Sequence, residues 1–407
     1  MNGPSRDNSV EEDDYDSGDE EFFLDEDDVI REIAIDEEEL PDREDEEIDL
    51  VVDYDDDDDN AADDDNADDS FYVFERHTDE VYSVACSPTD ASLVATGGKD
   101  DKGFLWKIGS QDSILELQGH GNTVSTLAFS SDGKFLASGS FDGLIQVWDA
   151  NLGSTKCRLE GSGGSIEWLK WHPKGHLILA GSDDSSVWLW NVDKCVYLNS
   201  FYGHASSVTC GDFSPDGKII CTGSDDASLR IWNPKTGESI NVNGHPYHTD
   251  GLTCLSITHD STVAVTGSKD GSVHMVNLTT GKVINSLVSH SDSVECVGHS
   301  PSSQWVATGS LDKKLIIWDI ERSSPRCTCD HEDGVICLSW LGMSRYIATG
   351  SMDGKVRIWD SLSGSCVRSF SGHHGAVQSL AVTADQNSVV SVSDDGTARV
   401  FRISDYN

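Results

Sequence analysis

The sequence predicts an all-β propeller, in which eight four-stranded sheets are arranged around one axis. Residues 119–149 read GHGNTVSTLAFSSDGKFLASGSFDGLIQVWD, and variants of this stretch fill the chain after residue 75. VSTLAFS, FLASGS and LIQVW alternate apolar with small or polar residues, and SDG and FDG supply tight turns between these three strands. The copies begin with Gly-His and end with Trp-Asp at a spacing of 41 to 44 residues, which is typical of propeller blades.

Eight copies are counted from the histidine position that opens each one. These positions are His77, His120, Ser162, His204, His248, His290, His331 and His373. An aspartate follows 22 residues later, or 23 in the first copy, and a tryptophan six residues after that, with Val276 and Phe401 as exceptions. Eight blades are therefore predicted, and the alternative is a seven-bladed ring with one copy outside it.

Over residues 71–407 this pattern resembles the WD40 repeat family. The resemblance implies that the histidine, a Ser or Thr four residues before the aspartate, the aspartate and the tryptophan form one buried hydrogen-bonded chain in each blade. Such a chain is stabilising only when every polar member is paired. Five copies carry the whole set, namely His77, Thr96, Asp100 and Trp106; His120, Ser138, Asp142 and Trp148; His204, Thr222, Asp226 and Trp232; His290, Thr308, Asp312 and Trp318; and His331, Thr349, Asp353 and Trp359. Copy 3 has Ser162 and Ala180 instead, so we expect blade 3 to be the least rigid.

The first 70 residues differ sharply from the repeats. They carry 35 Asp/Glu against 3 Lys/Arg, which accounts for −32 of the net charge of −45. Self-repulsion and the lack of apolar surface predict a disordered acidic tail over residues 1–70. Within it, FFLDEDDVIREIAID has the composition of a segment that folds against a partner, although a solvated tail is an equal alternative. Whether Ser9 or Ser17 is phosphorylated is left open.

The stretch SFYVFERH begins the predicted propeller domain, residues 71–407. The strand before each histidine belongs to the previous blade, so this first strand should pair with the last copy and close the ring, hiding two sheet edges. In copy 5 the alignment makes His248, not His245, the blade histidine and leaves a short inserted loop. A closed ring has no need of a partner copy, so a monomer is predicted.

Several functions are disfavoured. The −13 charge of the repeats repels phosphates, so no direct nucleic-acid binding is expected. No signal peptide or membrane-spanning run is present, which predicts a cytoplasmic protein, with the nucleus as a further location, and reduced, mostly buried cysteines. Recurrent His, Ser/Thr and Asp indicate architecture, because catalysis needs one exposed set. Cys327, Cys329 and His331 lack the fourth ligand of a zinc site, so neither metal nor cofactor is expected.

Family geometry directs three positions of each copy to one face of the ring, which we call the upper face. They are the third and fifth residues after the histidine and the residue before the aspartate. The acidic ones are Glu80, Glu167, Asp183, Asp225, Glu295 and Asp394, and the aromatic and aliphatic ones are Tyr82, Phe141, Leu311, Ile336 and Met352. An acidic rim with apolar anchors suits a basic peptide that bears aliphatic residues.

The acidic tail, the eight repeats, and the copies HTDEVYSVACSP, GGSIEWLKWHPKGHLILAGSDDSSVWLWN and GHASSVTCGDFSPDGK resemble the angio-associated migratory cell protein family. A fungal member of that family is a chaperone for the basic end of a large-subunit ribosomal protein, whereas animal members are linked to migration and signalling. The resemblance implies a non-catalytic chaperone or escort for a basic ribosomal protein in large-subunit assembly. The alternatives are a signalling and cell-migration adaptor and a ubiquitin-ligase substrate receptor.

Overall fold

The computed structural model describes residues 68–161, 163–240 and 248–406. These residues form eight antiparallel four-stranded sheets, and the innermost strands of successive sheets contact one another in a closed ring. The predicted eight-bladed propeller is therefore confirmed. The predicted tail, apart from residues 68–70, and the predicted inserted loop with His245 lie outside the described residues.

Each blade has an inner, a second, a third and an outer strand. The inner strands are Val81–Cys86, Val124–Phe129, Ile166–Trp171, Val208–Phe213, Leu252–Ile257, Val294–His299, Val335–Trp340 and Val377–Val382. The second strands are Leu93–Gly98, Phe135–Ser140, Leu177–Ser182, Ile220–Ser224, Val263–Ser268, Trp305–Ser310, Tyr346–Ser351 and Ser388–Ser393. The third strands are Gly103–Lys107, Ile145–Asp149, Ser186–Asn191, Leu229–Trp232, Ser272–Asn277, Lys314–Asp319, Val356–Asp360 and Ala398–Arg402. The outer strands are Ser110–Leu117, Thr155–Leu159, Val196–Tyr202, Ser239–Ile240, Lys282–Val288, Ser324–Asp330, Cys366–Phe370 and, for blade 8, Tyr72–Phe74.

Burial falls from the second strands to the outer edge of each blade. Leu93–Gly98 is buried throughout because both of its faces pack against other blades, whereas only Phe370 is buried in Cys366–Phe370. The apolar core consequently lies between adjacent blades. One such cluster joins Leu105 of blade 1 to Leu127 and Trp148 of blade 2.

The first strand closes the ring as predicted. Tyr72–Phe74 pairs antiparallel with the third strand of blade 8, with Tyr72 opposite Val400 and Phe74 opposite Ala398. Phe74 is buried and stacks on Trp106 of blade 1 at a centroid distance of 4.7 Å. This strand therefore joins the last blade by hydrogen bonds and the first blade by packing.

Helical structure is sparse in the described ranges. It is represented there by the 3-10 turn Ser404–Tyr406, which follows the last strand. None of the helical structure in these ranges is long and apolar enough to cross a bilayer.

Candidate functional site

A buried hydrogen-bonded chain holds the turns of the upper face. In blade 1, His77 Nδ1 lies 3.0 Å from Asp100 Oδ1, His77 Nε2 lies 3.1 Å from Thr96 Oγ1, and Trp106 Nε1 donates to the same hydroxyl at 3.3 Å. Because the carboxylate accepts, a neutral imidazole carries its proton on Nδ1, and the threonine donates to Nε2. Burial alone would raise the pKa of Asp100, but hydrogen bonds from His77 and from the backbone hold it below its usual value.

The same links recur in three more of the five complete copies. Blades 2, 4 and 6 each join the histidine to the aspartate and to the hydroxyl, and the tryptophan donates to that hydroxyl. In blade 5, His248 occupies the histidine place, with Nε2 2.9 Å from Thr266 Oγ1 and Nδ1 2.6 Å from Ser272 Oγ. The chain is therefore an architectural unit that recurs around the ring.

Blade 7 departs from this arrangement. His331 Nε2 and Trp359 Nε1 both lie 2.9 Å from Thr349 Oγ1, but Arg357 Nη2 donates to Asp353 at 2.6 Å. His331 Nδ1 is buried with no hydrogen-bond partner among the described residues. The predicted link between His331 and Asp353 is thus wrong, because a charged guanidinium is a stronger donor to a carboxylate than a neutral imidazole. Burial, and then the Arg357 charge, lower the pKa of His331 to about 4.

Blade 3 keeps the two backbone bonds that the motif aspartate also accepts in complete copies, such as those from Gly121 and Leu144 to Asp142 in blade 2. Asp184 Oδ1 accepts the backbone N–H of Ser186 at 3.0 Å, and its Oδ2 accepts that of Gly163 at 2.9 Å. With Ala180 in place of a hydroxyl residue, Trp190 Nε1 donates instead to the Glu160 carbonyl at 3.4 Å. The low rigidity expected of this blade stays a prediction.

The three upper-face positions of each copy lie side by side. In all eight blades, the residue before the aspartate donates its backbone N–H to the carbonyl of the third residue after the histidine position. Examples are Lys99 to Glu80 at 2.9 Å and Asp183 to Ser165 at 3.1 Å. The fifth residue after the histidine is the second residue of the inner strand. The structure therefore gathers these positions into one rim at the upper end of the ring.

Three of the rim acids form an acidic cluster on blades 3 and 4, namely Glu167, Asp183 and Asp225. Burial, and then the charges of Asp183 and Asp225, raise the pKa of Glu167 above its usual value. Lys269 of blade 5 donates to Asp225 Oδ1 at 2.7 Å and neutralises part of this charge. Two carboxylates of the cluster, Glu167 and Asp183, have no such lysine in the described structure.

Two of the other rim acids, Glu80 and Asp394, have side-chain partners. Lys99 Nζ lies 3.1 Å from Glu80 Oε1, so this pair carries no net charge. Tyr82 donates its hydroxyl to Glu80, and burial together with this hydrogen bond raises the pKa of Tyr82 to about 12. Asp394 accepts from Gln378 Nε2 at 2.8 Å. Gln378 is uncharged and leaves the charge of Asp394 unneutralised, and Glu295 of blade 6 has no ion pair among the described residues. Negative charge therefore remains on blades 6 and 8 as well as on blade 3.

The apolar rim residues fall into two places. A Cβ built on Gly334 would lie 2.9 Å from Leu311 Cδ2 and 3.1 Å from Met352 Sδ, so these two side chains flank the same backbone. With half-buried Ile336 they form an apolar sector on blades 6 and 7, in which Met352 is 46% exposed. Phe141, 37% exposed, lies on blade 2 beside the acidic cluster. The rim thus has an acidic cluster on blades 3 and 4 and an apolar sector on blades 6 and 7, and the rim acid Glu295 also lies on blade 6.

The cysteine-histidine group considered for zinc has another arrangement. His331 directs Nε2 to Thr349, and Cys329 is buried in the outer strand of blade 6. Across the described ranges, no group of three or more His, Cys, Asp or Glu side chains is positioned to hold a metal ion.

Eight segments match the model of the WD domain, G-beta repeat. They are residues 69–107, 111–149, 153–191, 195–233, 238–277, 281–319, 323–360 and 364–402. The chain therefore belongs to the WD40 repeat family, and its blades and buried histidine chains are the structural form of those repeats.

The chain is also similar to two kinds of known protein, one found by sequence and one found by structure. It is 37% identical over 65 residues to the angio-associated migratory cell protein of Homo sapiens, a stretch that spans 16% of this chain and 15% of that protein. Among solved structures it is similar to Chaetomium thermophilum Sqt1 bound to the N-terminus of ribosomal protein L10, with a TM-score of 0.76 and 26% identity over 83% of this chain and 100% of Sqt1. Saccharomyces cerevisiae Sqt1 shares the fold, with a TM-score of 0.74 and 24% identity over 83% of this chain and 99% of that one.

Proposed function

We propose that this protein is a non-catalytic escort that holds the basic N-terminal segment of a large-subunit ribosomal protein on its upper face. The observation that carries the proposal is the acidic cluster of Glu167, Asp183 and Asp225, in which mutual repulsion contributes to the raised pKa of Glu167. A cationic side chain placed among these carboxylates relieves that repulsion. The likeness to Sqt1, whose structure contains the N-terminus of ribosomal protein L10, supports this class of client.

The acidic cluster and the apolar sector have different roles in this proposal. Lysines and arginines of the client approach blades 3 and 4, where the carboxylates raise the association rate and disfavour acidic competitors. Aliphatic client residues pack on Leu311, Ile336 and Met352, whose burial slows dissociation. Holding the basic segment in this way shields it from nonspecific contact with RNA until it is handed over.

Charge reversal of the acidic cluster tests the proposal directly. A variant with Glu167→Lys, Asp183→Lys and Asp225→Lys should bind a synthetic N-terminal peptide of ribosomal protein L10 at least about tenfold more weakly, because the attraction becomes repulsion. Its affinity should also lose most of its dependence on salt. Titration calorimetry at two salt concentrations measures both effects.

A matched control reverses three exposed acids on the outer parts of blades 1, 4 and 6, namely Asp112, Glu238 and Glu321. This variant changes the net charge by the same amount and should keep near-normal affinity. Equal affinity of the cluster variant and the unaltered protein would rule out the proposed site.

Affinity purification distinguishes a ribosomal-protein client from the partners expected of a signalling adaptor or a ubiquitin-ligase substrate receptor. The full chain, and a chain lacking residues 1–70, are used as bait at low and high salt. Recovery of one stoichiometric ribosomal protein, released by salt, supports the proposal. Recovery of membrane receptors or cullin subunits in its place contradicts it.

A further inference from the structure

A left-handed turn joins the third and outer strands of blades 2 to 7. The turn residue lies five positions after the tryptophan position and has a positive φ in each case. These residues and angles are Gly153 (65°), Cys195 (53°), Gly237 (75°), Gly281 (63°), Ser323 (50°) and Gly364 (72°). Glycine adopts this conformation without steric cost, and other residues do not. Cys195 therefore occupies a position at which glycine is favoured.

The turn residue faces the outer strand of the preceding blade. A Cβ built on Gly153 would contact Leu115, and one built on Gly237 would contact Asn199. At Gly364 it would lie 2.9 Å from Cys327 Cβ and 3.4 Å from Cys327 Sγ. The side chain at this turn thus lies against one fixed place on the neighbouring blade.

Cys157 occupies that place in blade 2. Like Leu115, Asn199 and Cys327 in their own blades, it pairs with the residue that precedes the tryptophan of its blade. Cys195 supplies in blade 3 the Cβ that Gly364 lacks in blade 7. Among the turns that the structure describes, blade 3 alone sets a cysteine opposite a cysteine.

The two thiols are neighbours and are accessible. Burial, and then the adjacent Cys195 thiol, raise the pKa of Cys157 to about 12, and Cys195 Sγ itself donates to the Val192 carbonyl at 3.4 Å. Cys195 is exposed and Cys157 is half-buried, whereas Cys210 and Cys221 are buried. A reagent in solution therefore reaches this pair before it reaches the core thiols.

We propose that Cys157 and Cys195 form a reversible disulfide that joins the outer edges of blades 2 and 3. The oxidant is a low-molecular-weight disulfide such as oxidised glutathione. The exposed Cys195, as thiolate, attacks one of its sulfurs and releases one glutathione thiolate. Cys157 then gives its proton to solvent and attacks Cys195 Sγ, which releases the second glutathione thiolate. Two protein thiols are oxidised, and one glutathione disulfide is reduced to two thiols.

The disulfide would join blade 3, which lacks two members of the buried hydrogen-bonded chain, to blade 2. Blade 3 has Ser162 and Ala180 where complete copies have histidine and Ser or Thr. A disulfide from residue 157 to residue 195 constrains the intervening chain in the unfolded state, which stabilises the folded state. Oxidation is thereby linked to the stability of the blade that carries Glu167 and Asp183.

The test uses the full-length protein in glutathione buffers of graded oxidation, followed by acid quenching, alkylation of free thiols and mass spectrometry of non-reduced digests. One cross-linked pair of peptides, containing Cys157 and Cys195, should appear in a single transition and disappear on reduction. Exposed Cys366 is the internal control, which should carry at most a glutathione adduct and should enter no cross-link. Glutathione adducts on Cys195 without a cross-link, or full alkylation of both cysteines at every potential, would overturn the proposal.

Two variants separate the disulfide from general effects of oxidation. Cys195→Gly installs the residue that blades 2, 4, 5 and 7 have at this turn, so it should fold. It should lose both the cross-link and the increase of several degrees in Tm that oxidation gives the unaltered protein. Cys157→Ser should leave Cys195 with only a glutathione adduct. An oxidation-dependent rise in Tm that persists in Cys195→Gly would exclude the assigned bond.

Discussion

Blades 6 and 7 carry the same four motif residues but bond them differently. In blade 6, Asp312 Oδ2 lies 2.9 Å from His290 Nδ1, and the residue opposite the motif threonine is Ile316. In blade 7 the residue at that place is Arg357, which takes Asp353 away from the histidine. Arginine stands at the same place in blades 4 and 8, as Arg230 and Arg399, yet the aspartates of those blades keep their histidines. The direction that the arginine side chain takes, and not its presence alone, therefore decides which bonds the motif makes.

The largest effect should follow from Asp353→Ala. Arg357 is only 6% exposed, so the change leaves a buried guanidinium without its nearest carboxylate. Loss of one partner of a buried ion pair costs about 3–5 kcal/mol in the free energy of unfolding. Urea denaturation followed by tryptophan fluorescence measures the loss. A loss in the free energy of unfolding smaller than that caused by Asp312→Ala in blade 6 would contradict the comparison.

Acid should destabilise blade 7 through His331. Its pKa is about 4 in the folded protein and 6.5 in the unfolded chain, so the folded state binds the proton more weakly. The contribution of neutral His331 to the free energy of unfolding is complete above pH 6.5 and is lost as the pH falls towards 4. A shift of this size corresponds to about 3 kcal/mol. Unfolding measured at several pH values gives the slope. His248 and His299 also have folded-state pKa values of about 4, so the contribution of His331 is the difference in pH slope between the unaltered protein and His331→Ala. Equal slopes between pH 6.5 and 4 would refute this role.

Asp312→Ala should have a smaller effect than Asp353→Ala. It leaves His290 Nδ1 and the backbone N–H of Ser291 without their acceptor, but no buried cation loses its partner. The expected destabilisation is about 1–3 kcal/mol. The same urea assay ranks the two variants side by side.

The smallest change in stability should come from Arg357→Ile, which gives blade 7 the residue of blade 6. Removal of one partner of a buried ion pair is costly when the other is left unpaired, but Asp353 keeps the Ser351 hydroxyl and the Lys355 backbone N–H as donors. With His331 Nδ1 as a further donor, a change within about 1 kcal/mol is expected. Asp353 is then free to bond His331 Nδ1, and the pKa of His331 should rise. NMR titration of the imidazole measures that pKa. An unchanged value near 4 would show that Arg357 is not what separates the two blades.

The predictable part of the site is the part that repeats. His77, Thr96, Asp100 and Trp106 could be assigned because the same spacing recurs in other copies and the hydrogen bonds stay within one blade. Lys269 was among the upper-face positions, but its ion pair with Asp225 crosses between blades and has no sequence signal. Arg357 was not indicated either, because blades 4 and 8 have an arginine at the same place and the sequence does not show which carboxylate each one binds.

The sequence by itself determined the eight blades, the closing strand and the positions of the upper face, because strand alternation and turn chemistry are local and are repeated eight times. Only the tertiary structure decided which carboxylates stay without a lysine, which donor binds Asp353, and that Cys157 faces Cys195. Each of these outcomes depends on which side chains the packing of strands and blades brings close together. The distances between those side chains and their burial decide which pairs form, and neither can be read from the order of residues.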